Sequence, residues 1–374
     1  MLTESRKRTA RVFKVLLSLL LCSGISGCGV GYLAQATQGQ WRVMRARRPI
    51  TRILADPSAS EALKSRLRLV LEARDFASQE LKLPDNRSYR SYSDLKRPYA
   101  VWNVVAAPEF SIQPLRWCFP FTGCLSYRGY FKESNARAFA AALAARGNDT
   151  LVAGVTAYST LGHFADPVLN TMMRYGELDL VATIFHELAH QLIYVKGDSA
   201  FNESFAVAVE QEGLRRWLAA RGRSDELRDF LAQRRAERQI IHALAVGRAQ
   251  LDELYHQPWS PPLMRQRKHE LLSALGENVR TLERQNQMHS GYGAWIDAGL
   301  NNAHLASIAT YSDCVPGFAQ LLDRNAGQLP AFYAAVARLK HDPARRQALC
   351  RLDAVRTSAA AAPLADAATV ESRR

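Results

Sequence analysis

The chain has 374 residues, with 49 lysines and arginines against 35 aspartates and glutamates, a formal charge of +14. That length is enough to bury one sizeable core about a cleft. Nothing in the chain resembles a nucleic-acid-binding module, so the basic excess suits either solvated helix faces or an anionic lipid surface.

Met1–Lys14 holds Arg6, Lys7, Arg8, Arg11 and Lys14 against Glu4, and an apolar run from Val15 to Cys22 precedes the small residues Ser23–Gly27. The order positive, apolar, small predicts a secretory signal. The apolar run falls short of the about 20 residues needed to span a bilayer. Ile25-Ser26-Gly27-Cys28 resembles a bacterial lipobox, which implies cleavage before Cys28 and lipid on its sulfur. Gly29 after that cysteine implies sorting to the outer membrane, with the chain facing the periplasm. With the leader's five bases and one acid removed, about +10 remains, a charge suited to anionic headgroups.

Beyond the leader, Tyr32 to about Arg47 reads as a helix, Pro49–Pro57 as a linker, and Asp56-Pro57 as the start of a second helix that ends before Pro84. Three strand-like runs follow: Tyr99–Ala106, Phe110–Cys118 and Cys124–Phe131. Ser134–Arg146 reads as an alanine-rich helix and Thr150–Ala157 as a fourth strand. Ala153–Thr160 is the candidate edge for pairing with an extended substrate. Tyr158, Ser159 and Asp166 read equally as strand-end and turn chemistry, and His163 as an incidental loop residue. Cys118 and Cys124 bracket a Phe-Pro-Phe-Thr-Gly loop, the pattern of a local disulfide in an oxidising compartment. Cys314 and Cys350 can pair two C-terminal helices if geometry allows.

The next stretch, IFHELAHQLIYVKGDSAFNESFAVAV, organises the rest. His186 and His190 stand four apart, so on a helix both imidazoles leave one face toward one metal ion. Glu203 lies thirteen positions on, beyond a Gly197-Asp198-Ser199 turn that lets two antiparallel helices close on one point. Three protein ligands with the fourth position open describe a catalytic zinc site. Zinc lowers the pKa of a bound water from 15.7 to about 7, and Glu187 stands where it can take that water's proton as general base. Val181, Ile184, Leu188, Leu192 and Ile193 are the apolar positions that would bury this helix.

After Glu203 the chain reads as nearly all helix. A long charged helix from Ser224 to about His256, the prolines 258, 261 and 262, and a return helix Met264–Gln285 predict a helical hairpin. Met288–Tyr311 then turns rich in Gly, Asn, Tyr and His. His304 and Tyr311, seven apart, are candidate donors to a tetrahedral oxyanion. Equally, Asn302 is readable as a helix cap and His304 as a satisfied core histidine. Thr357–Arg374 is an alanine-rich tail with no apolar period.

The metal stretch resembles the gluzincin metallopeptidases, whose third ligand is a Glu often preceded by Asn, as in Asn202-Glu203. More closely, the segments YLAQATQGQ, LPDNRSYRSY, RPYAVWNVVAAPEFS, WCFPFTGCLSYRGYF, AYSTLGHFADPVL, FHELAHQLIYVKGDSAFNESFA and LNNAHLASIATY are similar to a bacterial lipoprotein family of zinc aminopeptidases. The resemblance implies a peptidase with Zn2+ on His186, His190 and Glu203, Glu187 as acid and base, and a peptide or protein substrate. Gluzincins often carry an Asp four residues after the ligand Glu, where this chain has Val207. Glu210, seven on, is the next acid on that helical face and a candidate to support a ligand, with Asn202 beside it. The amine-anchoring G-x-M-E-N pattern of aminopeptidases is absent, which leaves an endopeptidase of envelope proteins, or a non-catalytic zinc lipoprotein, as alternatives. The expected fold is α+β and zincin-like, a small mixed sheet ahead of a mostly helical region. Residues 28–356 form one domain, with 28–176 carrying the sheet and 177–356 the zinc site.

Overall fold

The structure, a computed structural model, describes residues 27–351 apart from 120–122, 158–159, 161, 163, 289–290 and 309–313. The leader, Tyr158, Ser159, His163, Tyr311 and the 357–374 tail therefore lie outside the described residues. The architecture is α+β and mostly helical, with three small sheets rather than one.

The first helix, α1 (Gly27–Arg45), leads into strand β1 (Arg47–Pro49) and a short helix α2 (Ile50–Leu54). The expected Pro49–Pro57 linker is thus partly structured, because Ile50 and Ile53 enter the core. Helix α3 (Glu61–Gln79) starts later than Asp56-Pro57 predicts. Ser60 is its cap, accepting from Leu63 N at 3.3 Å, while Asp56 is spent on its own turn, accepting from Ser58 N and Oγ.

Strand β2 (Ser91–Ser93) lies between β1, antiparallel, and β8 (Val168–Leu169), parallel. The central sheet runs β6 (Arg128–Tyr130), β3 (Val101–Pro108), β7 (Asn148–Val155), all antiparallel. Among the described residues β7 is an edge strand of this sheet, as the Ala153–Thr160 reading requires, although the strand itself ends at Val155. Helix α4 (Glu133–Ala144) packs on β3 and β7.

The expected strand Phe110–Cys118 shrinks to β4 (Trp117–Phe119), paired with β5 (Gly123–Leu125). The intervening residues are drawn elsewhere. Ile112 is buried among the later helices and the Glu109 carbonyl accepts from Lys268 and Asn302. Cys118 and Cys124 are disulfide-bonded across the β4–β5 pair, and Cys314 is bonded to Cys350.

Helices α5 (Glu177–Leu192) and α6 (Ser199–Ala219) pack against each other and against the main core. Glu177 and Asp179 in the first turn of α5 suit the positive end of its dipole. Its Leu180, Val181, Ile184, Phe185 and Leu188 are all fully buried. Gly213 allows the close approach of α6, since a Cβ there would stand 2.7 Å from Phe185 and 2.8 Å from Leu81. Helices α7 (Asp225–Tyr255) and α8 (Pro261–Gln285) form the expected hairpin, with its own core. The glycine- and asparagine-rich stretch forms two short helices, α9 (Tyr292–Asp297) and α10 (Asn302–Ser307). Helices α11 (Val315–Arg324), α12 (Leu329–Leu339) and α13 (Pro343–Arg351) end the described part of the chain. One core draws residues from Val43 through to Val336, so the sheet-bearing part and the helical part share it.

Candidate metal centre

The α5–α6 turn fixes the geometry of the centre. Gly197 takes φ +82°, a left-handed value that a glycine adopts without a Cβ clash. Asp198 caps α6, accepting from Phe201 N at 3.2 Å. Asn202 is buried and uses both ends of its amide on Val195, donating to its carbonyl and accepting from its N–H, each at 2.8 Å. It holds the turn closed and thereby places Glu203, the next residue.

His186 and His190 leave α5 one turn apart, and their Nε2 atoms stand 3.1 Å from each other. Glu203 closes the triangle, with Oε2 3.3 Å from His186 Nε2 and Oε1 3.5 Å from His190 Nε2. Among the described residues these three are the group of His, Cys, Asp and Glu side chains able to share one metal ion. His190 is buried, while the Glu203 carboxylate is exposed, so the triangle opens to solvent on the α6 side.

Glu210 lies two turns along α6 from Glu203, and its Oε2 is 3.1 Å from His186 Nδ1. A carboxylate there makes Nδ1 the protonated nitrogen and leaves the Nε2 lone pair facing the triangle. Arg234, on α7, was not legible in the sequence as part of the site. Its guanidinium lies 3.6 Å from Glu210 Oε1, 3.3 Å from Asp179 and 3.0 Å from Glu237, so it ties α5, α6 and α7 together behind His186. His190 Nδ1 is buried and has no hydrogen-bond partner among the described residues.

The charges are strongly coupled. Burial pushes the His186 imidazole down, but Glu203 and Glu210, with Glu187 adding to them, outweigh it and raise the value to about 10. Burial alone would raise Glu203, yet its hydrogen bonds with His186 and His190 hold it well below the usual carboxylate range. Glu187 is raised, first by burial and further by the charges of Glu203 and Asp166, against the lowering effect of the two histidines. An imidazole holding a proton that strongly, among three carboxylates, marks a place where a cation is electrostatically favoured.

Asp166 is buried beside this group and accepts from Thr160 N at 2.9 Å and Thr160 Oγ1 at 2.8 Å, which shapes the turn after β7. Tyr127, on the turn before β6, lies within the electrostatic reach of Glu203 and Tyr194, and both tyrosines remain exposed. Nothing in their spacing along the chain marked them.

His304 is not brought to the triangle. Its Nδ1 accepts from Asn301 N at 3.2 Å in a reciprocal cap at the start of α10, and its ring packs on Trp295. The residue it feels electrostatically is Asp149, at the far end of β7, and burial pushes it down to about 4. The cap residue is Asn301 rather than Asn302. Asn302 is buried and bonds to Tyr255 and to the carbonyls of Pro108 and Glu109.

Comparison with protein-family models matches residues 31–349 to a family described as putative aminopeptidase. Among curated proteins and among solved structures, no match is found.

Proposed function

Because the chain belongs to the putative aminopeptidase family, we propose that it is a zinc-dependent aminopeptidase of zincin-like fold, lipid-anchored at Cys28 and facing the periplasm. The observation that carries the reading is the His186–His190–Glu203 triangle with Glu187 between its two histidines in sequence. Donor separations of 3.1, 3.3 and 3.5 Å fit a tetrahedron about an ion ~2.0–2.1 Å from each donor, whose edges are ~3.3 Å. Two imidazoles and one carboxylate are the donor set that zinc takes in catalytic sites, with one position left for water or substrate.

When bound, zinc supplies Lewis acidity, polarising a carbonyl and bringing a water within reach of deprotonation near neutral pH. The remaining work falls to this chain's residues. Glu187, held above its usual range by burial, accepts the water's proton on its carboxylate and passes it to the leaving amine. Glu210 holds the His186 tautomer. β7 is an edge strand, and beyond Thr150, whose carbonyl accepts from Asn301, its later residues offer backbone groups to an extended peptide. Of the two candidate oxyanion donors, His304 is committed to its cap, and Tyr311 is the one to be tested.

Incubation of the purified protein with a mixed peptide library, with and without chelator, tests the reading by mass spectrometry of the products. Single residues released from N-termini, lost on chelation, are expected. Internal cleavage would instead support the endopeptidase reading, which the missing G-x-M-E-N pattern leaves open. Glu187→Gln is expected to keep the metal and lose hydrolysis. Turnover in that variant, or an empty site, would refute the division between base and ligands. Cys28→Ser is expected to release the protein from membranes or leave it as precursor, and mature membrane-bound protein in that variant would refute the anchor.

A further inference from the structure

No acidic residue occurs between Gly27 and Ala55, while Arg42, Arg45, Arg47, Arg48 and Arg52 fall in the same stretch. Two of these arginines are committed. Arg47 donates to the carbonyls of Met44 and Ala165, and Arg48 pairs with Asp56. Arg42, Arg45 and Arg52 are exposed, and no ion pair to a carboxylate is found for them among the described residues.

Helix α1 carries this charge beside two exposed large apolar side chains, Leu33 and Trp41. Its inner ridge packs on β6 and on Phe131, the residue after that strand. Tyr32 meets Tyr130 edge-on at 5.7 Å, Gln35 bonds to Gly129 and Phe131, and Gly39 abuts the Phe131 ring. Val43 completes that ridge and is buried. At about 100° per residue, Ala34, Thr37, Trp41 and Arg45 point the opposite way. Trp41 is 59 % exposed, the most exposed of the large apolar side chains described, and Leu33, on the flank, is 44 % exposed. The Arg45 guanidinium stands 5.0 Å from the Trp41 ring. An exposed indole with the Arg45 guanidinium beside it and Arg42 further round the helix combines an amphipathic ring suited to headgroup depth with cations suited to phosphates.

We propose that the outer face of α1 is a docking surface for an anionic phospholipid bilayer, with α1 lying along the membrane plane, Trp41 and Arg45 turned to the headgroups, and the exposed Leu33 and Arg42 on the two opposite flanks of that face. No described helix is long and apolar enough to cross a membrane, so α1 lies on the bilayer rather than through it. The proposal rests on the envelope reading above only for the tether at Cys28, which sits at the start of this same helix.

The test uses the chain from residue 28 onward carrying Cys28→Ser, so that no acyl chain contributes, with vesicles of phosphatidylglycerol and phosphatidylethanolamine or of phosphatidylcholine alone. Co-sedimentation with the anionic vesicles and a blue shift in the Trp41 contribution, taken as the difference from Trp41→Phe, are expected. Arg42→Glu with Arg45→Glu is expected to weaken binding at least ~25-fold, at roughly fivefold for each arginine lost. Both positions are exposed, and circular dichroism checks that the fold survives. Equal binding to both vesicle types, no binding, or self-association abolished by Trp41→Ala would overturn the proposal. The last outcome would make the occupant a second copy of the chain. Incorporation of labelled fatty acid into the wild-type protein in cells, absent from Cys28→Ser, reports on the tether independently of bilayer binding, so failure of the docking face and failure of the anchor are told apart.

Discussion

Removing the Glu210 carboxylate is the most direct test of how the centre is held. Glu210 accepts from His186 Nδ1 at 3.1 Å and is itself steadied by Arg234 at 3.6 Å. No equivalent contact holds His190, whose Nδ1 is buried without a partner among the described residues. The imidazole orientation therefore depends heavily on one carboxylate. A hydrogen bond to a charged group contributes about 1.5–3 kcal/mol, and losing such an outer partner typically weakens metal binding ~10–100-fold. The two scales agree, because tenfold in affinity is about 1.4 kcal/mol. Glu210→Ala is expected near the upper end, and Glu210→Gln, which retains an acceptor oxygen without the charge, near the lower. Competition of zinc between the protein and a chromophoric chelator at constant pH measures both, with circular dichroism as the control for folding. Wild-type affinity in a folded Glu210→Ala protein would refute the argument. Complete loss of binding would show that Glu210 is itself a ligand.

The proton on His186 gives a pH prediction of definite sign. Its folded value, about 10, lies above the ordinary 6.5, so it contributes metal-free stability fully below about 6.5 that is lost as pH rises through about 10. Metal competes for the same nitrogen, so affinity should rise with pH, by up to about tenfold per unit over that window, and a flat chelator titration would contradict this. Tyr311→Phe is expected to lower turnover by roughly 10²–10³ with metal content intact, whereas undiminished turnover would remove it from the mechanism. His304→Ala is expected to cost about 1–2 kcal/mol in denaturant unfolding through loss of the α10 cap, while the folded fraction keeps its metal; a variant that unfolds normally but loses activity would return His304 to the site. Arg234→Met is expected to weaken metal binding about tenfold by freeing Glu210, with unchanged affinity counting against its role.

Much of the fold was legible where a local pattern has one physical solution. The apolar period of Leu180, Val181, Ile184 and Leu188 could only bury one face of a helix, and it does. The Gly197-Asp198 turn could only end one helix and cap the next. Boundaries failed where two local solutions competed. Asp56-Pro57 and Ser60 are both good helix starts, and the choice went to Ser60 because Asp56 found Ser58. The long strand read in Phe110–Cys118 failed because its residues answer to partners far along the chain. Ile112 packs with Leu305 and the α7–α8 hairpin, and the backbone at Glu109 is claimed by Lys268 and Asn302.

The same division runs through the candidate site. His186, His190 and Glu203 were readable because helix periodicity and one turn suffice to bring them together. Glu210 was readable as a face position but not as a contact, since its meeting with His186 depends on how α6 crosses α5, which Gly213 helps to set. Arg234 was invisible because it arrives on a third helix, and no spacing rule relates it to Glu210 or His186. His304 shows the opposite hazard. A buried histidine in a stretch rich in hydrogen-bonding groups has the composition of a site, yet the same groups satisfy one another. Asn301 and His304 cap α10 reciprocally, and Asn302 binds the β3 end and Tyr255. What separates the two cases is convergence, several metal-ligating atoms facing one point rather than each pairing with a separate partner. At α10 the Asn301 and Asn302 amides and His304 Nδ1 each have a separate partner, whereas at α5 two imidazole Nε2 atoms converge on a carboxylate at a spacing that one cation fills.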